Sequence, residues 1–114
     1  MYDKFGQFIN GQWQRSSSND FYEVINPATE DVIGKASKAN SEDVQKALKS
    51  AENGLKIWSS TTPWERAKIL RKISELMRKK SDILSKWLTL EVGKPLSEGA
   101  GEVGGAADIF EWNS

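Results

Sequence analysis

The sequence predicts an α+β fold in which short antiparallel strands come first and three or four α-helices follow. Three observations predict it: an Asn10-Gly11 pair between apolar residues, a proline-containing helix start at residues 62–65, and apolar residues three and four apart in the second half. We place short strands and a hairpin in residues 1–40 and a helical part in residues 41–114.

The first strands are predicted from residues 7–14, which read QFINGQWQ. Asn10-Gly11 is the pair preferred at the centre of a type I′ turn, where both residues need positive φ. Strands are also expected over residues 21–25, which are rich in β-formers and end before Asn26-Pro27, and over residues 32–39, with Gly34 as a candidate bulge.

The first helix is predicted to begin with Ser41 as its N-cap and to end before a loop at residues 59–61. Glu42 and Asp43 put negative charge in the first turn, where the helix dipole favours it. The apolar residues at helical spacing are Val44, Ala47, Leu48, Ala51 and Leu55. One face of this helix is therefore apolar.

Two consecutive helices are predicted next. Thr62-Pro63-Trp64-Glu65 is a capping box with proline at the first helical position, and residues 79–82 offer a break, with Ser81 as the next cap. The main apolar stripe consists of Ile69, Ile73, Leu76, Ile83, Trp87 and Leu90. Such a stripe fits either a small self-sufficient domain or a piece whose main sheet lies elsewhere.

Composition excludes several classes of function. Lys+Arg and Asp+Glu both number 16, so the chain lacks the basic excess of a nucleic-acid binder or of a membrane-surface protein. There is no Cys and no His, which removes cysteine nucleophiles, Cys/His zinc sites and the usual general base. We found no signal peptide or membrane span and expect a cytoplasmic protein.

A glycine pattern at residues 99–104 fits G-x-G-x-x-G by its letters alone. A dinucleotide-binding loop needs a strand before the first glycine, whereas Pro95 starts a predicted helix here. Glu102 would also repel a pyrophosphate. The stretch is therefore interpreted as a glycine-rich helix beginning at Pro95, whose small residues allow close packing on another backbone.

Several phrases then occur in order: residues 8–13 (FINGQW), 24–29 (VINPAT), 32–34 (VIG), 64–67 (WERA) and 90–96 (LEVGKPL). Together they resemble the N-terminal segment of the NAD(P)-dependent aldehyde dehydrogenase superfamily, most closely its succinate-semialdehyde dehydrogenase branch. The resemblance implies an α/β parent fold, of which this chain would be one incomplete N-terminal segment of the cofactor-binding domain.

The resemblance also implies a Cys nucleophile, a Glu base, an oxyanion-stabilising Asn and a hydride passed to NAD or NADP. None of the corresponding motifs is matched here, so we assign no catalytic and no cofactor-binding residue. The fragment alone is expected to be inactive and to bind no cofactor.

One metal site is carried over in part from the family. The resemblance implies a structural monovalent cation held by the backbone carbonyl of Ile25 and the carboxylate of Glu91, with a further ligand from elsewhere. The alternative is that Glu91 simply ends a helix at the surface.

The sequence is consistent with two functions. The first is an N-terminal fragment of an enzyme that oxidises an aldehyde, with succinate semialdehyde as the candidate, to a carboxylic acid. The second is a truncated paralogue that acts as a non-catalytic interaction module. The expected partners are the rest of the dehydrogenase chain or a second copy, bound through apolar helix faces; neither nucleic acid nor a membrane is expected.

Overall fold

The computed structural model describes residues 6–114. Its elements are β1 (Gln7–Ile9), β2 (Gln12–Gln14), β3 (Phe21–Ile25), β4 (Val32–Ser37), α1 (Ser41–Ser60), α2 (Pro63–Lys79), α3 (Ser81–Val92) and α4 (Leu96–Trp112). The chain divides between Ser60 and Thr61 into two compact units. The predicted α+β arrangement is confirmed; the boundary at residue 40 remains a prediction about how the parent domain is organised.

The hairpin of β1 and β2 forms because Asn10 and Gly11 adopt positive φ values of 54° and 75°. This is the backbone that a type I′ turn requires, so the prediction is confirmed. Phe8 pairs with Trp13 across the hairpin, and their ring centroids lie 5.0 Å apart. Aromatic pairs across strands stabilise short hairpins.

Strands β3 and β4 form a second antiparallel sheet, and the loop between them is closed by Asn26. The Asn26 N–H donates to the Asp31 carbonyl at 2.9 Å, and the Asn26 side chain accepts from the Ala28 N–H at 3.0 Å. Ile25 pairs with Val32 while Val24 pairs with Gly34. The extra residue lies beside Gly34, which agrees with the predicted bulge.

Helix α1 is capped by Asn40, and the prediction that Ser41 is the N-cap is wrong. The Asp43 N–H donates to the Asn40 side chain at 3.0 Å, and the Asn40 N–H donates to the Asp43 carboxylate at 3.2 Å. This reciprocal pair satisfies the helix start as a capping box does. The loop predicted at residues 59–61 also begins too early, because α1 continues to Ser60. In this last turn the hydroxyls of Ser59 and Ser60 donate to carbonyls three residues back.

Helix α2 begins at the predicted capping box. The Glu65 N–H donates to Thr62 Oγ1 at 3.3 Å, and the Thr62 N–H donates to the Glu65 carboxylate at 3.1 Å. The predicted break is confirmed at Lys80, which separates α2 from α3 with φ −103° and ψ 13°. Ser81 is the first residue of α3 and not its cap, so that detail of the prediction is wrong.

Removing this capping box is expected to lower the stability of the chain by a modest amount. We expect Thr62→Ala to lower the free energy of unfolding by about 1 kcal/mol, because the Glu65 N–H then has no side-chain acceptor. Thr62→Ser keeps the hydroxyl and should stay close to the parent chain. Urea unfolding followed by circular dichroism measures both variants, and equal losses in the two would contradict a capping role.

The second unit packs its three helices through small side chains. Within residues 61–114, the most buried positions are Ser74, Ser85, Gly99, Val103 and Ala107. Larger members of the predicted stripe are nearly half exposed; they are Ile69, Leu76 and Ile83. Small residues at the contact let helix axes approach closely, and the larger side chains then lie to either side.

Candidate functional site

The glycine pattern lies entirely within helix α4. The Gly99 N–H donates to the Pro95 carbonyl at 3.0 Å, so the first amide that a phosphate loop would present is already bonded within the helix. A phosphate loop works by presenting free backbone N–H groups. The prediction that these glycines form a helix is confirmed, and they make no dinucleotide-binding loop.

The corner before α4 is formed by Gly93, Lys94 and Pro95. Gly93 has a left-handed φ of 76°, and its N–H donates to the Thr89 carbonyl at 2.9 Å, which ends α3. The Lys94 side chain is partly buried and forms an ion pair with Glu102. Lys94 thus fixes the corner to the second turn of α4, and its ammonium group is already paired.

Arg78 joins α2 to α4 at the other end of this unit. Its guanidinium lies 2.5 Å from a carboxylate oxygen of Asp108 and 2.9 Å from one of Glu111. Hydrogen bonds from Asp108 and then Glu111 raise the pKa of Arg78 further. All three side chains are exposed, so this cluster adds little to stability.

Asp43 is a buried carboxylate of which the sequence indicated only the negative charge. It is 3% exposed, although it lies in the first turn of α1. Its carboxylate accepts from Ser16 Oγ at 2.7 Å, the Ser17 N–H at 3.0 Å and the Gln7 side-chain amide at 3.3 Å, besides the Asn40 N–H.

The Ser16 hydroxyl and the backbone donors of Asn40 and Ser17 hold the pKa of Asp43 well below its usual range. A carboxylate with so low a pKa is a poor general base, since its affinity for a proton is too weak to take one from a substrate near neutral pH. Its donors all come from residues 7–40 of the same unit. The geometry therefore assigns Asp43 a structural role, which is to join the hairpin and the following loop to α1.

A shallow cleft of about 340 Å³ lies between the hairpin and α1. Its lining residues are Ile9, Asn10, Gln12, Gln14, Lys46, Lys49, Ser50 and Asn53. Lys46 pairs with Glu42 at 2.7 Å, and Lys49 pairs with Glu52 at 3.2 Å. Its two cations are therefore neutralised by their own helix, and the lining contains no carboxylate, Cys or His that could activate the Ser50 hydroxyl.

The two predicted cation ligands lie in different compact units. Ile25 is the last residue of β3, directly before Asn26-Pro27, and Glu91 lies in the last turn of α3. Among residues 6–114, no hydrogen bond or ion pair engages the Glu91 carboxylate, and no group of three or more acidic, His or Cys side chains could hold a metal ion. The pairing of Ile25 with Glu91 remains a prediction.

The described residues thus contain well-formed structural contacts and no assembled catalytic group. Within the same range, no helix combines the length and apolar character needed to cross a membrane. The turns and corners at Asn10-Gly11, Asn26-Pro27 and Gly93-Lys94-Pro95 lie within three of the phrases that carry the family resemblance.

Comparison with known proteins places the chain in a family of oxidoreductases. Residues 13–114 match the sequence profile of the aldehyde dehydrogenase family, and the chain belongs to that family. The predicted resemblance is confirmed, because this match spans most of the chain.

Individual relatives include two semialdehyde dehydrogenases. The chain is 38% identical over 105 residues to glutarate-semialdehyde dehydrogenase of Pseudomonas putida, covering 92% of this chain and 22% of the relative. It is 38% identical over 104 residues to the NADP+-linked succinate-semialdehyde dehydrogenase of Escherichia coli, covering 91% and 22%. The chain spans about a fifth of the length of either relative.

The fold agrees with this membership. A crystal structure of a betaine aldehyde dehydrogenase variant of Staphylococcus aureus, in complex with NAD+, superposes with a TM-score of 0.90 at 28% identity. The superposition covers 94% of this chain and 22% of that one.

Proposed function

We propose that this chain is the N-terminal segment of an enzyme that oxidises a semialdehyde to the corresponding dicarboxylic acid, with NAD+ or NADP+ as the oxidant. The observation that supports it most strongly is 38% identity over nine-tenths of the chain to two enzymes named for such substrates. In this reaction the aldehyde and water give the carboxylic acid, a hydride moves to the nicotinamide, and one proton is released to solvent.

The chain by itself is expected to be catalytically inactive. It contains no Cys, and the family resemblance implies a Cys nucleophile. Its glycine pattern supports the same expectation, because residues 99–104 are helical and form no phosphate loop. The role proposed for these residues is to build one edge of the cofactor-binding domain. A monovalent cation bound by Ile25 and Glu91 is part of the same proposal.

The proposal predicts a difference between the chain alone and the chain in an enzyme context. We expect no reduction of NAD+ or NADP+ above the blank when the 114-residue chain is mixed with succinate semialdehyde. When the chain replaces the matching stretch of the Escherichia coli relative, we expect the hybrid enzyme to oxidise succinate or glutarate semialdehyde faster than butanal. Absorbance at the nicotinamide band measures both, and turnover by the chain alone would contradict the proposal.

A second candidate is a non-catalytic interaction module. Exposed apolar side chains favour it, notably Trp112, which is 90% exposed, and Ile109 beside it on α4. Large exposed apolar groups commonly mark interaction surfaces. Light scattering after size exclusion separates the candidates, because a module of this kind would form a stable dimer with no other chain present.

A further inference from the structure

Helix α1 contacts the hairpin through a polar edge. Asp43 accepts hydrogen bonds from residues 7–40, and the hydroxyl of Ser50 accepts one from the Asn10 N–H at 3.1 Å. Lys46 and Asn53 lie on the same edge and line the cleft. With 100° between successive residues, these four positions share one side of the helix.

The apolar residues of α1 lie on nearly the opposite side. Val44, Leu48, Ala51 and Leu55 follow one another at steps of four, three and four residues; we name these four the α1 stripe. Within the described residues, Val44 is 48% exposed, Leu48 58% and Leu55 64%. An amphipathic helix normally buries such a stripe. The usual arrangement is reversed here, because the polar edge makes the contacts instead.

We propose that the α1 stripe is the docking surface for the remaining part of an aldehyde dehydrogenase subunit, and this rests on the proposed function. In the superposed relative the same fold occupies 22% of a chain, so most of that chain has no counterpart here. From Val44 to Leu55 the stripe extends roughly 16 Å along the helix axis, enough to seat an apolar helix or sheet face.

The charges beside the stripe agree with an apolar occupant. Glu42 is paired with Lys46, and Lys49 with Glu52, so the flanks carry no net charge from these four residues. A strongly charged partner would find no complementary field along this helix. An apolar protein face is the occupant that both the stripe and its flanks fit.

A labelling experiment tests the docking, because the chain has no thiol of its own. Leu48→Cys places a probe on the stripe, and Lys49→Cys places a matched probe one residue away, where the side chain is 69% exposed. Each variant is tagged and produced alone, and together with the Escherichia coli relative lacking its matching stretch. Peptide-resolved alkylation rates are then compared.

We expect the truncated relative to copurify with the chain and to slow alkylation at position 48 by at least about tenfold, with less than about twofold change at position 49. A double variant, Leu48→Glu with Leu55→Glu, should abolish copurification, whereas Lys49→Glu should not. Failure to copurify with the parent chain, or equal protection at both positions, would overturn the docking proposal. Protection of position 48 in the chain alone, increasing with chain concentration, would also overturn the docking proposal, because the occupant would then be a second copy of the chain.

Turnover of the copurified pair is measured separately, so that the two proposals fail in different ways. Protection at position 48 without aldehyde oxidation supports the docking and counts against the proposed function. Oxidation with position 48 still fully reactive supports the function and overturns the docking.

Discussion

Asp43→Ala is expected to lower the thermal unfolding midpoint of the first unit by roughly 10 °C. The carboxylate accepts from Ser16, Ser17 and Asn40, and alanine would leave these donors without their acceptor. Donors left unpaired in a buried site are destabilising. The substitution also removes the hydrogen bonds by which Asp43, a residue of α1, holds the hairpin and the loop that follows it.

The same carboxylate predicts a dependence on pH. Its folded pKa lies below the value of roughly 3.9 that an unfolded aspartate has, so its contribution is complete above about pH 4. As the pH falls below that value the unfolded state binds the proton first, and the contribution is lost. We therefore expect the unfolding midpoint to decrease between about pH 4 and pH 2, and to decrease less in Asp43→Asn.

Glu52→Gln is the matched control, because Glu52 belongs to the same helix and forms an exposed pair with Lys49. Exposed pairs of this kind contribute little, so its midpoint should remain near that of the parent chain. Scanning fluorimetry across the pH series measures all three variants. A pH profile of Asp43→Asn that matches the parent profile would show that Asp43 is not the titrating group.

The features predicted correctly from the sequence are those fixed by neighbours along the chain. Asn10-Gly11 forms the turn because both residues tolerate positive φ, and Thr62 meets Glu65 because they are three residues apart. The glycine pattern was interpreted correctly as helical for the same reason, since a helix stands where a binding loop would need a strand; the helix begins at Leu96, with Pro95 as its N-cap and not its first residue.

The features that were missed depend on contacts between distant residues. Asp43 fits a first-turn acidic residue, and nothing local indicates that Ser16, 27 positions earlier, donates to it. Asn40 and not Ser41 caps the helix because it forms two hydrogen bonds with Asp43. The Asn40 N–H donates to the Asp43 carboxylate, and the Asn40 side chain accepts from the Asp43 N–H. Once Asp43 is fixed by the hairpin side, Asn40 is the residue placed to cap the helix.

Helix packing was predicted only in part, because the small residues of α4 were expected to pack close to another backbone but the sequence did not say which one. Periodicity identifies an apolar stripe but not the distance at which helices meet, and here Gly99 lies against the backbone of Ser85. Larger residues such as Ile69 therefore remain partly exposed. For the candidate site, the corner at Gly93-Lys94-Pro95 was recognised from its phrase, while the pairing of Lys94 with Glu102 depends on how α4 leaves that corner.

Gly99→Leu should lower the free energy of unfolding by about 1–3 kcal/mol, because side-chain atoms would enter a contact that is already closed. A Cβ atom at position 99 would lie 3.1 Å from the Ser85 carbonyl oxygen and 3.6 Å from Leu88 Cβ. The carbonyl belongs to the backbone of α3, so it can withdraw only if α3 and α4 move apart.

Gly101 gives the opposite expectation two residues along the same helix. No atom lies within 4 Å of a Cβ built there, so Gly101→Ala should stabilise the chain by roughly 0.5–1 kcal/mol through helix propensity alone. Gly101→Leu should be neutral or stabilising for the same reason, which makes it the matched control for size. Urea unfolding of the three variants gives the free energies. If leucine were tolerated equally at positions 99 and 101, close contact between α3 and α4 could not be what requires glycine at position 99.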